Sequence, residues 1–359
     1  MRVRARVART AAGVFMAVAT AVSVSGCMTV HGGTAIMPAA SEEEAADALA
    51  HFVEVSNESN ATFDAELNRT IESGPLGEID YAGLVARGTV DPEGNPDFEP
   101  LELSDTRFLI PQQAGWPKFF VADTATNRSG ENRWLLVFTR DGIDEDWAAV
   151  YLSVLDPSLM PEFAVDEDGY AEDIPVPVVD AGDTDATEDA DEAEEAEEAD
   201  EAGGADDAAA WDDSGLVVPP GQLSSAYNDF LASKAGPFTD GTYTTEAVER
   251  REESNSNPAY AMQYQDSVPT EPGFEPVALR ATDGSALVFF STRHHEKQTM
   301  AEGETPVVDP LVEVLMEGTA ETSVTLVRVA MHAALVPAAG EGDIAVPSRV
   351  TGVTSAVGE

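Results

Sequence analysis

Leu135-Leu136-Val137-Phe138-Thr139-Arg140 and Leu287-Val288-Phe289-Phe290-Ser291-Thr292-Arg293 decide how this 359-residue chain is read. Each is a short apolar run rich in β-branched and aromatic residues, the signature of a buried strand. Similar landmarks precede both. Val85-x-Arg87, Asn95-Pro96 and Asp105 lie ahead of the first; Val248-x-Arg250, Asn257-Pro258 and Asp266 lie ahead of the second. The steps from Val to Asn and from Asn to Asp differ by one residue each, but the gap from the Asp to the strand is thirty residues against twenty-one. An internal duplication accounts for the landmarks; chance likeness between apolar strands is the alternative.

Working outward, Ser41-Glu42-Glu43-Glu44 has the capping-box pattern, with Ser41 at N-cap and Glu44 at N3. Ala45, Leu49, Phe52 and Val53 follow at helical spacing, which predicts a helix to about Asn57. A shorter helix is expected around Tyr81 to Arg87, then a loop at Asp91-Pro92-Glu93-Gly94-Asn95-Pro96. Strands are expected at Leu101 to Ile110, Phe119 to Asp123, Trp134 to Thr139 and Trp147 to Leu155. Asp141-Gly142 favours antiparallel pairing of the last two. In the second half Leu223, Tyr227, Phe230 and Leu231 make a helical stripe, and a second helix covers Thr245 to Ser254. Strands follow at Ala259 to Asp266, Val277 to Thr282, Ser285 to His294, Thr322 to Leu335 and Ser348 to Ala356. Asp283-Gly284 marks a hairpin. Helices before strands in each half indicate an α+β class rather than alternating βαβ units.

Between the halves, Asp180 to Asp213 holds seventeen Asp or Glu and no Lys or Arg. Low hydrophobicity with one sign of charge argues a solvated, disordered linker. At the other end Arg2, Arg4, Arg6 and Arg9 precede an apolar run from Ala11 to Val24, which closes on Val24-Ser25-Gly26-Cys27. This is the pattern of an export signal, and its apolar run is shorter than the ~20 residues that span a bilayer as a helix. The expected plan is a signal peptide over 1–26, a tether over 27–40, a first α+β domain over 41–165, an acidic linker over 166–214 and a second α+β domain over 215–359.

The ending of the signal resembles the lipobox of bacterial lipoproteins. That resemblance implies processing at Val24-Ser25-Gly26 and a diacylglyceryl group on Cys27, which would hold the chain on the outer face of the cytoplasmic membrane. Two acyl chains anchor stably where one does not. An ordinary secretory signal is the alternative. Cys27 is the single cysteine, so no disulfide can form within the chain. The formal net charge of −48 argues against nucleic acid, whose binding requires Lys and Arg to neutralise phosphates. It argues equally against electrostatic attraction to anionic lipid headgroups.

Helix, helix, then long curved antiparallel strands resembles the NTF2-like cone, in which a bent sheet wraps a helix and leaves a cavity. The chain also resembles a group of uncharacterised predicted lipoproteins of actinobacteria. Gly115-Trp116-Pro117-Lys118-Phe119-Phe120-Val121-Ala122-Asp123, Asn132 to Arg140 and Arg293-His294-His295-Glu296-Lys297-Gln298-Thr299 carry that likeness, which implies no activity.

Chemistry-bearing constellations are sparse. His294 and His295 are neighbours on an expected strand, so they face opposite ways and cannot share a metal locally; a structural or strand-end role is the expectation. No His or Cys spacing suits zinc. Asp166-Glu167-Asp168-Gly169 lacks the sixth-position Gly and twelfth-position Glu of a calcium loop. No nucleophile elbow, phosphate loop or dinucleotide fingerprint occurs. No catalytic residue, metal or cofactor is therefore expected. Trp116, Phe120, Trp134 and Trp147 read most plainly as core; the sharper reading is a pocket lining, with Arg133 and Arg140 as polar anchors. The expected function is a lipid-anchored, extracytoplasmic, non-catalytic binding or interaction module for a protein or small molecule. The alternative is a ligand-binding or enzymatic pocket inside one domain.

Overall fold

The computed structural model describes residues 35–176 and 214–359. Cys27, the Val24-Ser25-Gly26 motif, the start of the expected tether and most of the expected acidic linker lie outside those residues.

Strand β1 (Ile36–Pro38) opens the described chain, followed by α1 (Glu42–Thr62), α2 (Ala65–Asn68) and α3 (Gly74–Val90). Ser41 caps α1 as expected, its hydroxyl accepting from Glu44 N at 3.1 Å. The helix then runs five residues past Asn57 and ends on Phe63 in the left-handed conformation. Strands β2 (Leu103–Leu109), β3 (Gln112–Ala114), β4 (Lys118–Thr126), β5 (Arg133–Arg140) and β6 (Ala148–Leu155) follow. The second half has α4 (Leu223–Ser233), α5 (Thr245–Asn255), β7 (Tyr260–Ser267), β8 (Val277–Arg280), β9 (Ala286–Met300), α6 (Pro310–Val314), β10 (Met316–Gly318), β11 (Ser323–Val336) and β12 (Ala345–Gly358). The class is α+β with largely antiparallel sheets, one main sheet in each half and a two-stranded β1-β3 ladder beside the first.

The first sheet has the order β2-β4-β5-β6 and the second β10-β12-β11-β9-β7, with β8 also pairing β9. All these pairs are antiparallel except β10 with β12. Counting inward from the edge strands β2 and β7, β9 takes the place of β4, and β11 that of β5. The duplication thus holds at Asp105 and Asp266, which sit on the matching edge strands. It fails at the two apolar runs, because Leu135 to Arg140 and Leu287 to Arg293 occupy different positions in their sheets. The unequal gap had that cause. Phe119-Phe120 is the counterpart of Phe289-Phe290 by sheet position.

The second sheet explains its own sequence. Along β9, Leu287 and Phe289 belong to one buried cluster while Val288 and Phe290 belong to another. Strand β8 divides the same way, with Leu279 on one side and Ala278 on the other. Alternate side chains point to opposite faces, so continuous apolar runs here mean a sheet buried on both faces. One face meets α4, where Tyr227 sits edge-on to Phe290 with centroids 5.7 Å apart. The other meets the first sheet, where Tyr151 lies 6.4 Å from Phe289. The first sheet's opposite face packs on α1, through Phe52 against Phe138 at 5.8 Å.

The two halves therefore share a core, and residues 36–359 form one compact unit. Val154 N donates to Ser348 Oγ at 3.0 Å, and Arg293 on β9 reaches Glu78 on α3 at 2.8 Å. Backbone meets backbone at Gly74 and Gly273: a Cβ on Gly74 would lie 2.2 Å from Gly273 O. Two expected boundaries shift. Ile36–Pro38 pairs with β3, and Ala39 and Ala40 are buried, so the tether ends before residue 36 rather than at 40. Residues 163–174 bridge to β8 and its flank, through Phe163 with Ala281 and Asp173 with Leu279. The first half thus runs past 165, and the start of the expected linker is ordered structure. Asp166 closes a turn there, accepting from Asp168 N and Tyr170 N at 2.9 Å each.

Candidate functional site

A cleft of about 600 Å³ lies between the β3–β4 segment, residues 173–176 and residues 273–278. Short strands set its wall: β3 pairs with β1, and the loop after β3 carries Trp116 and Pro117 to the rim. Trp116 is 40% exposed. Lys118, at the first position of β4, is buried. Its ammonium donates to Met37 O at 3.2 Å and Gln113 O at 3.1 Å. Burial, and then Arg140, push its pKa below the usual lysine value, while Asp173 works against that shift. Gln113 is locked at both ends, accepting from Phe119 N at 2.9 Å and donating to Asp173 at 3.0 Å. Burial raises the Asp173 carboxyl above its ordinary pKa, with the Gln113 donor opposing. An apolar wall with a few fixed polar groups is the usual make-up of a small-molecule site.

The six residues singled out from the sequence separate into four places. Trp116 lines the cleft; the other five do not. Arg140 lies between Trp116 and Trp147, 5.3 and 4.6 Å from their ring centres, and pairs with Glu44 at 2.9 Å. That sandwich explains why the three aromatic and cationic residues recur near each other: it fastens α1 to the sheet. Phe120 is core, stacked on Phe138 at 4.9 Å and edge-on to Trp147 at 4.8 Å. Trp134 is half-buried on β5 and packs against the same core. Arg133 is elsewhere, bonded to Asp123 and Asp105 beside Arg107, on a groove of about 310 Å³.

Sequence reasoning missed a buried polar chain in the second half. His294 is fully buried in the middle of β9, because that strand continues to Met300 rather than ending near residue 294. Asp266 on β7 stands opposite it in register. His294 Nδ1 lies 2.7 Å from Asp266 Oδ1, and its Nε2 lies 2.9 Å from Thr292 Oγ1. Thr292 Oγ1 is also 3.0 Å from Nε2 of His332, fully buried on β11. A carboxylate accepts, so His294 Nδ1 carries the proton and its Nε2 accepts from the Thr292 hydroxyl. His332 then donates Nε2–H to Thr292, which leaves its Nδ1 as a bare acceptor with no partner among the described residues. Both imidazoles are neutral by this assignment, and burial lowers the pKa of each. Arg251 on α5 grips Asp266 with both terminal nitrogens, at 2.6 and 2.8 Å. With the hydrogen bond from His294, this holds the Asp266 carboxyl well below its ordinary pKa against the opposing effect of burial.

A general base needs a ring nitrogen within reach of substrate. Both nitrogens of His294 are engaged by protein, so the chain Asp266–His294–Thr292–His332 orders the interior. The i, i+2 spacing of Thr292 and His294 was the one signal in the sequence, since it places both on the same face of a strand. Asp266 and His332 come from strands that only the sheet order brings alongside. Among the described residues no group of three or more His, Cys, Asp or Glu could hold a metal ion, and no helix is long and apolar enough to cross a membrane.

The family described as Domain of unknown function (DUF8094) matches the sequence twice, over residues 36–207 and over residues 184–358. An uncharacterized lipoprotein of Streptomyces coelicolor is 39% identical over 338 residues, 94% of this chain and 92% of that protein. An uncharacterized lipoprotein of Streptomyces avermitilis is 39% identical over 346 residues, 96% of this chain and 93% of that protein. A further uncharacterized lipoprotein of Streptomyces coelicolor is 26% identical over 330 residues, covering 89% and 81%. No solved structure matches significantly.

Proposed function

The chain belongs to the family described as Domain of unknown function (DUF8094), with two copies of the domain, and on that premise we propose that it is a lipid-anchored, extracytoplasmic binding module without catalytic activity. Its relatives are named lipoproteins. The Val24-Ser25-Gly26-Cys27 pattern supports anchoring through Cys27 on the outer face of the cytoplasmic membrane. Each half, with helices on one face of an antiparallel sheet, is compatible with an NTF2-like cone.

The observation that carries the binding reading is the cleft of about 600 Å³, well inside the range of roughly 300–1,000 Å³ typical of small-molecule sites. Its occupant is a small amphiphile, apolar against Trp116, Phe119 and Val277, with a polar or anionic end toward Lys118. The observation that would favour an enzyme instead is the buried Asp266–His294 pair, and the bonding of both ring nitrogens weighs against it. Titration of the full chain in detergent with anilinonaphthalene sulfonate, an anionic apolar fluorophore, tests the reading. One saturable site is expected, weakened at least about tenfold by Ala114→Trp, since Ala114 is an exposed residue on the cleft wall; tenfold is about 1.4 kcal/mol. Unchanged binding in that variant removes the cleft as the site. Turnover of any bound compound by the purified chain removes the non-catalytic reading.

A further inference from the structure

A second, smaller pocket of about 150 Å³ lies in the second half, between α5 and the helix-facing side of the sheet. Arg250, Arg251, Tyr264, Glu296 and Arg349 contribute its polar lining. Four of the five have committed their charge or their ring. Arg251 is spent on Asp266 and lies over the Tyr264 ring at 4.6 Å. Glu296 holds Arg328 at 2.8 Å. Arg250 pairs with Glu246 at 3.6 Å along α5 and donates to Thr242 O at 2.7 Å.

Arg349 differs. It stands on β12 opposite His332, and among the described residues its guanidinium makes no hydrogen bond and no ion pair. Its Nε is shut off from solvent without an acceptor, as are those of Arg140 and Arg293, but those two hold carboxylates on their terminal nitrogens and Arg349 does not. The contrast with its peers is sharp: Arg107, Arg133, Arg140, Arg251, Arg293 and Arg328 each hold a carboxylate within 4.0 Å. The chain has 67 acidic residues against 19 Lys and Arg, so partners were not scarce. Arg349 is half-buried, and the carboxylate that acts on it from a distance, Glu296, is already committed to Arg328; a guanidinium withdrawn from water without a partner of its own is destabilising by general experience. A water molecule can satisfy Nε–H; it cannot supply the missing negative charge.

We infer that this pocket is a binding site for a small carboxylate, held by the guanidinium of Arg349. Size and charge choose the class. The pocket, of about 150 Å³ and open to solvent, has room for a short-chain acid or the acidic end of a longer molecule. With Arg251, Arg250 and Glu296 already neutralised, one positive charge is left over, which suits a monoanion better than a phosphate dianion. The planar fork of an arginine matches a carboxylate with two parallel hydrogen bonds, and the Tyr264 ring closes one side. The site is independent of the cleft at Trp116 and Lys118, so either can fail without the other.

Thermal melting of the full chain in detergent tests the site. The probes are sodium acetate and sodium butyrate, each compared with sodium chloride at equal ionic strength, because any salt screens a chain this acidic. Either carboxylate at about a hundredfold excess over its Kd is expected to raise the melting temperature by roughly 3–6 °C beyond chloride. Arg349→Met should abolish that increment. In chloride alone Arg349→Met should melt at or above the wild type, since it removes an unpaired, half-buried charge and keeps the bulk; this arm reads the site even if ligand affinity is weak. Inorganic phosphate is the competing arm. A rise with phosphate and none with carboxylates overturns the ligand class. A carboxylate effect that survives in Arg349→Met, or a variant that melts well below wild type in chloride, overturns the site.

Discussion

The two halves have matching sheet orders but bury different polar groups, and the difference gives them opposite responses to acid. In the first half Glu72, just ahead of α3, lies beside Asp80 on that helix. Burial, then the neighbouring Asp80 charge, raise the Glu72 carboxyl well above its ordinary 4.5, against the Asn68 amide that donates to it at 2.6 Å. In the second half His294 and His332 are held below the ordinary 6.5, mainly by burial. For Glu72 the folded state binds the proton more tightly, so its contribution is fully present below pH 4.5 and is lost as pH rises through the elevated pKa. For the histidines the unfolded state binds the proton more tightly, so their contribution is present above 6.5 and is lost as pH falls. The duplicated sheet order is shared between the halves; the buried titratable groups are not.

The largest expected effect tests whether the halves are one cooperative body. Phe289 and Phe290 are adjacent and both fully buried, yet one faces the first sheet and the other faces α4. Phe289→Ala and Phe290→Ala should each cost about 3–5 kcal/mol in urea unfolding. A single transition is expected in both variants. Two transitions in Phe290→Ala alone would show that the second half unfolds by itself, and the shared core would then matter less than its burial suggests.

Next in size is the pH contrast. Glu72→Gln removes the carboxyl and keeps the hydrogen-bonding shape, so the melting temperature should rise at about pH 8 and the gain on acidification should flatten, an effect of roughly 1–3 kcal/mol. His332→Phe keeps the ring between Tyr227 and Phe290, and is expected to flatten the loss of stability below pH 6.5. Melting curves across the pH range decide both. Parallel curves for wild type and variants would remove these groups as the source of the difference.

The smallest effect sits at the first helix. Ser41→Ala deletes the cap of α1 and should cost about 1 kcal/mol. In the second half the short α6 has such a cap, Asp309 accepting from Leu311 N at 2.8 Å, but neither α4 nor α5 has a side-chain cap hydrogen bond. Ala substitution at Gln222 or Thr244 should therefore show no loss of a helix cap, although Thr244 is also buried.

Local signals were the ones that read well. Ser41 with Glu44, the stripe Leu223-Tyr227-Phe230-Leu231 and Asp283-Gly284 each depend on neighbours a few residues apart, and each stands where the spacing put it. What escaped were relations between distant strands. The apolar runs at Leu135 and Leu287 look alike because both are buried on two faces, not because they are the same strand of a repeat. Trp116, Arg140 and Trp147 lie together as a cation–π sandwich rather than as the lining of one pocket, and Phe120 and Arg133 point to opposite sides of the same sheet. His294 gave no hint of Asp266 or His332, since a hydrogen bond across three strands leaves no periodic trace in any one of them.

The sheet with two covered faces has a consequence for how this chain is made. Residues 36–176 leave the ribosome before β9 and β11 exist, and until then Val121, Val137 and Tyr151 have nothing to lie against. The nascent first copy is a half-finished joint, and the second copy is its missing surface. The two copies share a wall, so a chain cut back to either one is expected to expose the apolar surface that the other covers.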